Sequence, residues 1–419
     1  ITHGGYRLPL VFLCEDNGFG ISVRTPSNWV EKTMTTREGI LYMSCDGLNI
    51  ADTYITAKKA IDFVRQKRRP VFVHMKCVRL MGHAGSDVES VYRTTEEIKE
   101  TEKNDPLLHT ARLLIKEGYL TKSQLRASYE KKSKELYQLA QSLAKTKLLS
   151  SRSQVTISLV ANKKFSRTKI VSLEERKKIF SSEWKKLPVK RNLSTLLNYT
   201  LTDLMAQYPQ MLLFGEDVAQ KGGVYRVTHN LLQRFGGRRV FDTILDETTI
   251  IGTAIGFAQN GFLPIAEIQF LSYFHNAEDQ IRSEAASLSF FSNGAFTNPM
   301  ILRVAGLGYQ KGFGGHFHND NSLAVFRDIP GLRLACPSKG DDGVRMLRAC
   351  VEEALKGRVV VFLEPIALYM RKDLYTPGDS KMLFSYKDII TPLSWGDVGT
   401  YGTSRDFILL TYGNGVTMG

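Results

Sequence analysis

The chain has 419 residues, 43% hydrophobic and 23% charged, a balance that suits a globular protein of two or three domains and excludes wholesale disorder or a fibrous repeat. Its formal charge is +14, but 19 Lys and Arg fall between Thr121 and Arg191 against 5 Glu, which leaves 37 basic and 37 acidic residues elsewhere. The surplus belongs to one segment that lacks interleaved aromatics or a nucleic-acid motif, so it reads as a solvated linker, and no specific nucleic-acid partner is expected.

In chain order, Pro9–Cys14 predicts a buried strand. Ala57, Ala60, Ile61 and Val64 fall at helical spacing, and Pro70–Lys76 returns as a strand. Thr94 and Glu97 form a T-x-x-E capping box, so a helix should run from about Thr95. Ser123–Lys147 reads as helical, and Ser150–Arg167 as a polar, Ser-rich passage. Beyond the linker, Leu196–Met205 is predicted helical, Met211–Phe214 a strand, and Val224–Phe235 a helix closed by Gly236 and Gly237. Arg239–Thr243, Leu263–Phe270 and Met300–Val304 are further strands, separated by helical stretches at Ile250–Ala258 and Glu278–Phe291. A helix near Val344–Leu355, a strand at Val359–Glu364 and a last strand at Phe407–Tyr412 complete the series. Strands alternating with helices predict an α/β architecture of parallel sheets covered on both faces.

The apolar runs are far shorter than the roughly 18 residues of a membrane helix, so no span is expected. The five cysteines show no C-x-x-C spacing, which fits neither a disulfide framework nor a zinc site and makes a reducing, cytoplasmic setting the expectation. The chain opens on Ile-Thr-His-Gly-Gly with no initiator Met and no targeting pattern, so a start inside a longer protein is expected.

In open parallel sheets ligands bind outside the carboxyl ends of the strands. That rule selects Asp16-Asn17-Gly18, Gly82-His83, Asp246-Glu247, Tyr273 with His275, and His316 with His318.

These positions sit in motifs that resemble a known family. FLCEDNGFGIS and RLMGHAGSDVESVYR resemble the α subunit of the thiamine diphosphate-dependent E1 component of 2-oxo acid dehydrogenase complexes. LFGEDVAQKGGVYRV, DETTIIGTAIGFA, AEIQF and GGHFHNDNS resemble its β subunit. The resemblance covers nearly the whole chain apart from about Ser123–Arg191. It implies two doubly wound, transketolase-like domains, α-like over 1–120 and β-like over 192–378, joined by a basic linker over 121–191 and followed by the start of a third α/β domain over 379–419.

The resemblance also implies roles. Thiamine diphosphate is the expected cofactor, because decarboxylation of a 2-oxo acid needs an electron sink for the carbanion it leaves. Glu247 would be the carboxylic acid on the aminopyrimidine nitrogen, with Tyr273 packing on the pyrimidine and Glu216 supporting the cofactor site beside Asp217. Asn17 and the carbonyl of Phe19 would ligate Mg²⁺, a cation that prefers hard oxygens. The family's other metal ligand belongs to a Gly-Asp-Gly type motif upstream of Asn17, absent from this sequence. His83 and His318 would be the two active-site histidines, with His316 the rival of His318. Asn319-Asp320 stand where two-chain relatives have Ser-Gln. Ala84 replaces the serine that mitochondrial relatives phosphorylate, although Ser86 and Ser90 are near. The implied partners are a small 2-oxo acid, a lipoyl-bearing E2 acyltransferase and a second fused chain in a homodimer. The implied reaction is oxidative decarboxylation with acyl transfer to lipoate, with branched-chain acids such as 3-methyl-2-oxobutanoate favoured over pyruvate. Another thiamine enzyme of transketolase-like fold and a nucleic-acid-binding scaffold are the rival classes.

Overall fold

Runs rich in Val, Phe, Leu and Tyr place three strands side by side in the first part of the chain. β1 (Val11–Asp16) and β2 (Leu41–Asp46) each pair in parallel with β3 (Val71–Lys76), in the order β1-β3-β2. Between β2 and β3 runs α1 (Ile50–Lys67), opened by Asn49, whose side chain accepts the N–H groups of Ala51 and Asp52. Thr56, Ala60 and Val64 form its buried face against Val71, Val73 and Cys45. Ile61, expected in that stripe, is exposed because the face meeting the sheet is set one helical row round, by Thr56 and Ala60. β1 also departs from expectation. Val11 and Leu13 pair with Val71 and Val73, which are buried under α1, yet they are themselves 40% and 54% exposed. As an edge strand, β1 is hydrogen-bonded on one side only.

The computed structural model describes residues 2–3, 6–160, 168–309, 314–388 and 390–419. It divides into two units, Ile1–Leu148 and Leu149–Gly419. In the first unit the expected capping box opens α2 (Thr95–Lys103), with the Thr94 hydroxyl accepting from Glu97 N–H and the Glu97 carboxylate accepting from Thr94 N–H. α3 (Pro106–Lys116) and α4 (Lys122–Leu143) follow, and α4 buries none of its residues. In the second unit the basic stretch contributes α5 (Leu173–Phe180), whose Phe180 packs on Tyr199 and Tyr386. The end of the Ser-rich passage, 161–167, lies outside the described residues.

The second unit holds a six-stranded, wholly parallel sheet. Its elements are α6 (Leu193–Gln207), β4 (Met211–Gly215), α7 (Leu231–Phe235), β5 (Val240–Asp242), α8 (Glu247–Gln259), β6 (Leu263–Ile268), β7 (Met300–Gly306), β8 (Leu332–Ala335), α9 (Gly340–Ala354) and β9 (Val359–Pro365). The strand order is β8-β9-β7-β6-β4-β5. Successive strand residues point to opposite faces, and the core divides accordingly. Met211, Leu213, Ile265, Ile301, Val360 and Phe362 face α6 and α9, while Leu212, Phe214, Ala266, Leu302, Val304 and Val361 face α8. This burial on both faces makes the sheet doubly wound. Gly252 and Gly256 each cost α8 about 1 kcal/mol of helix propensity. Fully burying a side chain such as Ile250 or Ile251 contributes roughly 1.5–3 kcal/mol, so packing decides in favour of the helix.

Elsewhere the structure corrects the sequence reading. Only Leu231–Phe235 of the expected Val224–Phe235 helix is helical, because Arg226 and Asn230 take left-handed φ of 62° and 64° and break it. Glu278–Phe291 is a π-helical turn over Gln280–Ala286 followed by Leu288–Phe291. β2 and β8 were not predicted. Phe407–Tyr412, expected as a strand, is irregular, with Phe407, Ile408 and Leu410 exposed. A strand needs a neighbour for its N–H and C=O groups, and among the described residues this segment pairs with none. Among those residues, no helix is long and apolar enough to cross a membrane.

α9 approaches α6 closely at Gly343, where an added Cβ would stand 2.4 Å from Leu193 Cδ1. Gly343→Val is expected to destabilise the fold by about 1–3 kcal/mol through overpacking. Unchanged thermal unfolding of the variant would contradict that contact.

Candidate active site

The chain runs from β4 to the edge strand β5, then crosses back to β6 on the other side of β4. This reversal is the topological switch point, where strand ends diverge and leave a crevice. Glu216 and Asp217 follow β4, and Tyr273 follows β6. Glu247, which lies between β5 and β6, is the first residue of α8.

Glu247 is 5% exposed. Its carboxylate accepts from Asn276 Nδ2 at 3.2 Å. Glu216 is half-buried, and its Oε1 has no hydrogen-bond partner. Burial, and then repulsion from Glu247, Asp217 and Glu267, pushes its carboxyl up to about 7. Asp217 is more exposed and accepts from Lys221 Nζ at 2.8 Å, so it stands on the rim.

The Tyr273 hydroxyl lies 3.4 Å from His318 Nε2, and His318 Nδ1 lies 3.1 Å from the Gly314 carbonyl. A carbonyl only accepts, so Nδ1 donates to it, and in the neutral ring Nε2 accepts from Tyr273. Phe270 meets the His318 ring edge-on at 4.6 Å. The loop is built around this histidine: Gly314 has φ +62°, and a Cβ there would come within 2.2 Å of His318 Nδ1. His316 is exposed, its ring against Phe317 at 3.9 Å, whereas His318 is half-buried.

Sequence reasoning missed two features here. Asp320 lies 3.7 Å from His275 Nε2, and His275 also meets Glu278. Beneath the crevice, Arg303 is buried between Glu267 and Glu364, with Nε and Nη2 reaching the Glu364 carboxylate at 2.6 and 2.9 Å and Nη1 reaching Glu267. The Tyr369 hydroxyl donates to Glu364 at 2.6 Å. Burial, and then repulsion from Glu364, push the Glu267 carboxyl up to about 7 despite the attraction of Arg303. The signal was present in the sequence as Glu267 and Arg303, charges inside otherwise apolar strands.

In the first unit, Asp16 Oδ1 accepts from Gly18 N–H and Asn17 Oδ1 from Phe19 N–H, both at 3.0 Å. His83 is exposed, and its N–H donates to Asp87 Oδ2 at 2.7 Å. Tyr92 also donates to that oxygen, and together these hydrogen bonds hold the Asp87 carboxyl below its ordinary range. Arg79 donates to Tyr92 and to the Ile21 carbonyl, both at 2.6 Å, and lies over the Phe19 ring. The His83 loop and the turn carrying Asn17 and Phe19 are thus tied together. Among the described residues no three His, Cys, Asp or Glu side chains cluster to hold a metal. Glu216, Glu247, Tyr273 and His318 are gathered in the second unit, and Asn17, Phe19 and His83 belong to the first.

Residues 4–149 match the family described as dehydrogenase E1 component, and residues 190–371 match the transketolase pyrimidine binding domain. The chain is thus similar to the thiamine diphosphate-dependent E1 component in its first part and to the transketolase pyrimidine binding domain in its second, and both matches lie in one chain. It is 37% identical to the 2-oxoisovalerate dehydrogenase subunit beta of Pseudomonas aeruginosa over 43% of this chain and 53% of that protein. It is 35% identical to the pyruvate dehydrogenase E1 component subunit beta of Acholeplasma laidlawii over 48% of this chain and 62% of that protein. With the 3-methyl-2-oxobutanoate dehydrogenase subunit beta of Mycobacterium tuberculosis it shares 34% identity, over 52% and 58%. The chain therefore spans between about half and three-fifths of the length of these curated relatives.

Because the folded-state pKa of Glu216 is raised, its contribution to stability is fully present below its ordinary value of 4.5 and is lost as pH rises through about 7. The thermal midpoint of the wild type is expected to fall, relative to Glu216→Gln, between about pH 5 and about pH 8. A difference that stays constant with pH would contradict the raised carboxyl.

Proposed function

We propose that this chain, within a complete E1 assembly, decarboxylates a 2-oxo acid and transfers the acyl group to the lipoyl arm of an E2 acyltransferase. The observation that carries the reading is the buried carboxyl of Glu247 at the head of α8, beside Glu216 at the switch point. When bound, thiamine diphosphate supplies the thiazolium that stabilises the carbanion left by decarboxylation. The residues present suit it: Glu247 would hold a proton against the aminopyrimidine nitrogen, with Tyr273 packed on that ring. Asn17 and the Phe19 carbonyl would hold Mg²⁺ against the diphosphate, hard oxygens of the kind the ion takes. His318, with its proton on Nδ1 and Nε2 turned to Tyr273, would orient the substrate and exchange a proton at Nε2. His83 would contribute from the other domain. By the resemblance, the assembly is read as a homodimer of fused chains. Branched-chain acids such as 3-methyl-2-oxobutanoate are the favoured substrates. Relatives named for 2-oxoisovalerate and for pyruvate stand at similar identity, so pyruvate is the alternative.

The test is 2-oxo acid-dependent reduction of an artificial electron acceptor by the full-length protein, with and without thiamine diphosphate and Mg²⁺. A pocket suited to the branched chain should favour 3-methyl-2-oxobutanoate over pyruvate by about tenfold or more in kcat/KM, and the reverse preference would move the assignment to pyruvate. Glu247→Gln is expected to lower turnover by about a hundredfold or more with the fold intact, and near-normal turnover would reject Glu247 as the activating acid. His318→Ala should impair acyl transfer more than Tyr273→Phe does, and equal effects would overturn that ranking.

A further inference from the structure

The central strand of the first unit carries a histidine where its pattern calls for an apolar side chain. His74 is 2% exposed in β3, between the buried Val71 and Val73 and the end of the strand. Both ring nitrogens are nevertheless engaged: Nε2 lies 2.9 Å from Asp16 Oδ2 in β1, and Nδ1 lies 2.8 Å from the Tyr42 hydroxyl in β2. The register explains how one ring reaches both. Cys14 and Ser44 are the residues directly opposite His74. Asp16 and Tyr42 stand two residues away along their strands, on the same face, at the diagonal positions long side chains can reach. Asp16 as a carboxylate only accepts, so Nε2 donates to it, and in the neutral ring Nδ1 accepts from Tyr42. A hydrogen-bonded chain therefore crosses all three strands.

Its far end is a turn. Asp16 gives one oxygen to His74 and the other to Gly18 N–H, and the adjacent Asn17 folds its own amide oxygen onto Phe19 N–H. The carboxylate is held from two sides, and with it the direction in which Asn17 leaves β1. We infer that Tyr42, His74 and Asp16 form a positioning device that fixes the Asn17 turn for a divalent cation. The inference rests on Asn17 being a Mg²⁺ ligand, as proposed above. His74 touches neither cation nor substrate in this reading. It acts through Asp16, in the way outer partners of metal ligands commonly set affinity.

Two substitutions separate positioning from mere stability. His74→Gln places an amide donor where Nε2 stood and keeps the bond to Asp16, whereas His74→Asn reaches only toward Tyr42. Mg²⁺ is titrated calorimetrically into the full-length protein with thiamine diphosphate present, and thermal unfolding is measured beside it. His74→Asn is expected to raise the Mg²⁺ concentration for half-saturation about tenfold and His74→Gln no more than about threefold, although both lose comparable thermal stability. Equal shifts in the two variants, or none in either, overturn the inference. Should His74→Asn fail to fold, Tyr42→Phe carries the test: it frees the ring to turn away from Asp16, a rise of about threefold is expected, and wild-type affinity overturns the inference. A wild type that binds no Mg²⁺ in the presence of thiamine diphosphate fails the reading of Asn17 itself, a result distinct from normal wild-type binding that no variant alters.

Discussion

The second unit depends on the reversal of strand order at β4. A parallel sheet is covered on both faces, so the only way in from solvent is along its edge, where helices on opposite faces part. β4 is that place, flanked by β5 on one side and β6 on the other. The residues after β4 and β6 and the head of α8 all lie at the carboxyl ends of the strands, where polar side chains can stand without interrupting the core. Glu216 and Glu247 are close enough for charge on one to raise the proton affinity of the other.

Beneath the crevice the same logic runs through Arg303. A buried guanidinium is tolerated only when its donors are met, and Glu267 and Glu364 meet them from the neighbouring strands β6 and β9. Burial, and then repulsion from Glu364, hold the Glu267 proton more tightly against the opposing pull of Arg303. In the first unit Arg79 ties the His83 loop to the turn after β1 through its two terminal nitrogens.

Much of the site was legible in the chain itself, because each candidate lies just past a strand and the motifs recur in order. Glu247 could be placed because an apolar run follows it at once, and the T-x-x-E pattern of Thr94 and Glu97 carries its own geometry. What escaped notice involved partners distant in sequence. The pairing of Asp320 with His275 joins two loops, and β8 is too short and mixed to announce itself. The close approach of Gly314 to the His318 ring, where any side chain at 314 would collide with it, was likewise invisible in the sequence.

Periodicity and turn chemistry are local, so the sequence by itself determined the alternation of strands and helices, the capped helix starts, the parallel sheet class and the inventory of acids and histidines on strand ends. Burial and electrostatics are sums over residues far apart in the chain, so only the tertiary structure decided which carboxyl is crowded, which histidine is held and which strand stays at an edge. The irregular run of Phe407–Tyr412 illustrates the difference: its composition favours a strand, but a strand forms only when another supplies the hydrogen bonds it lacks.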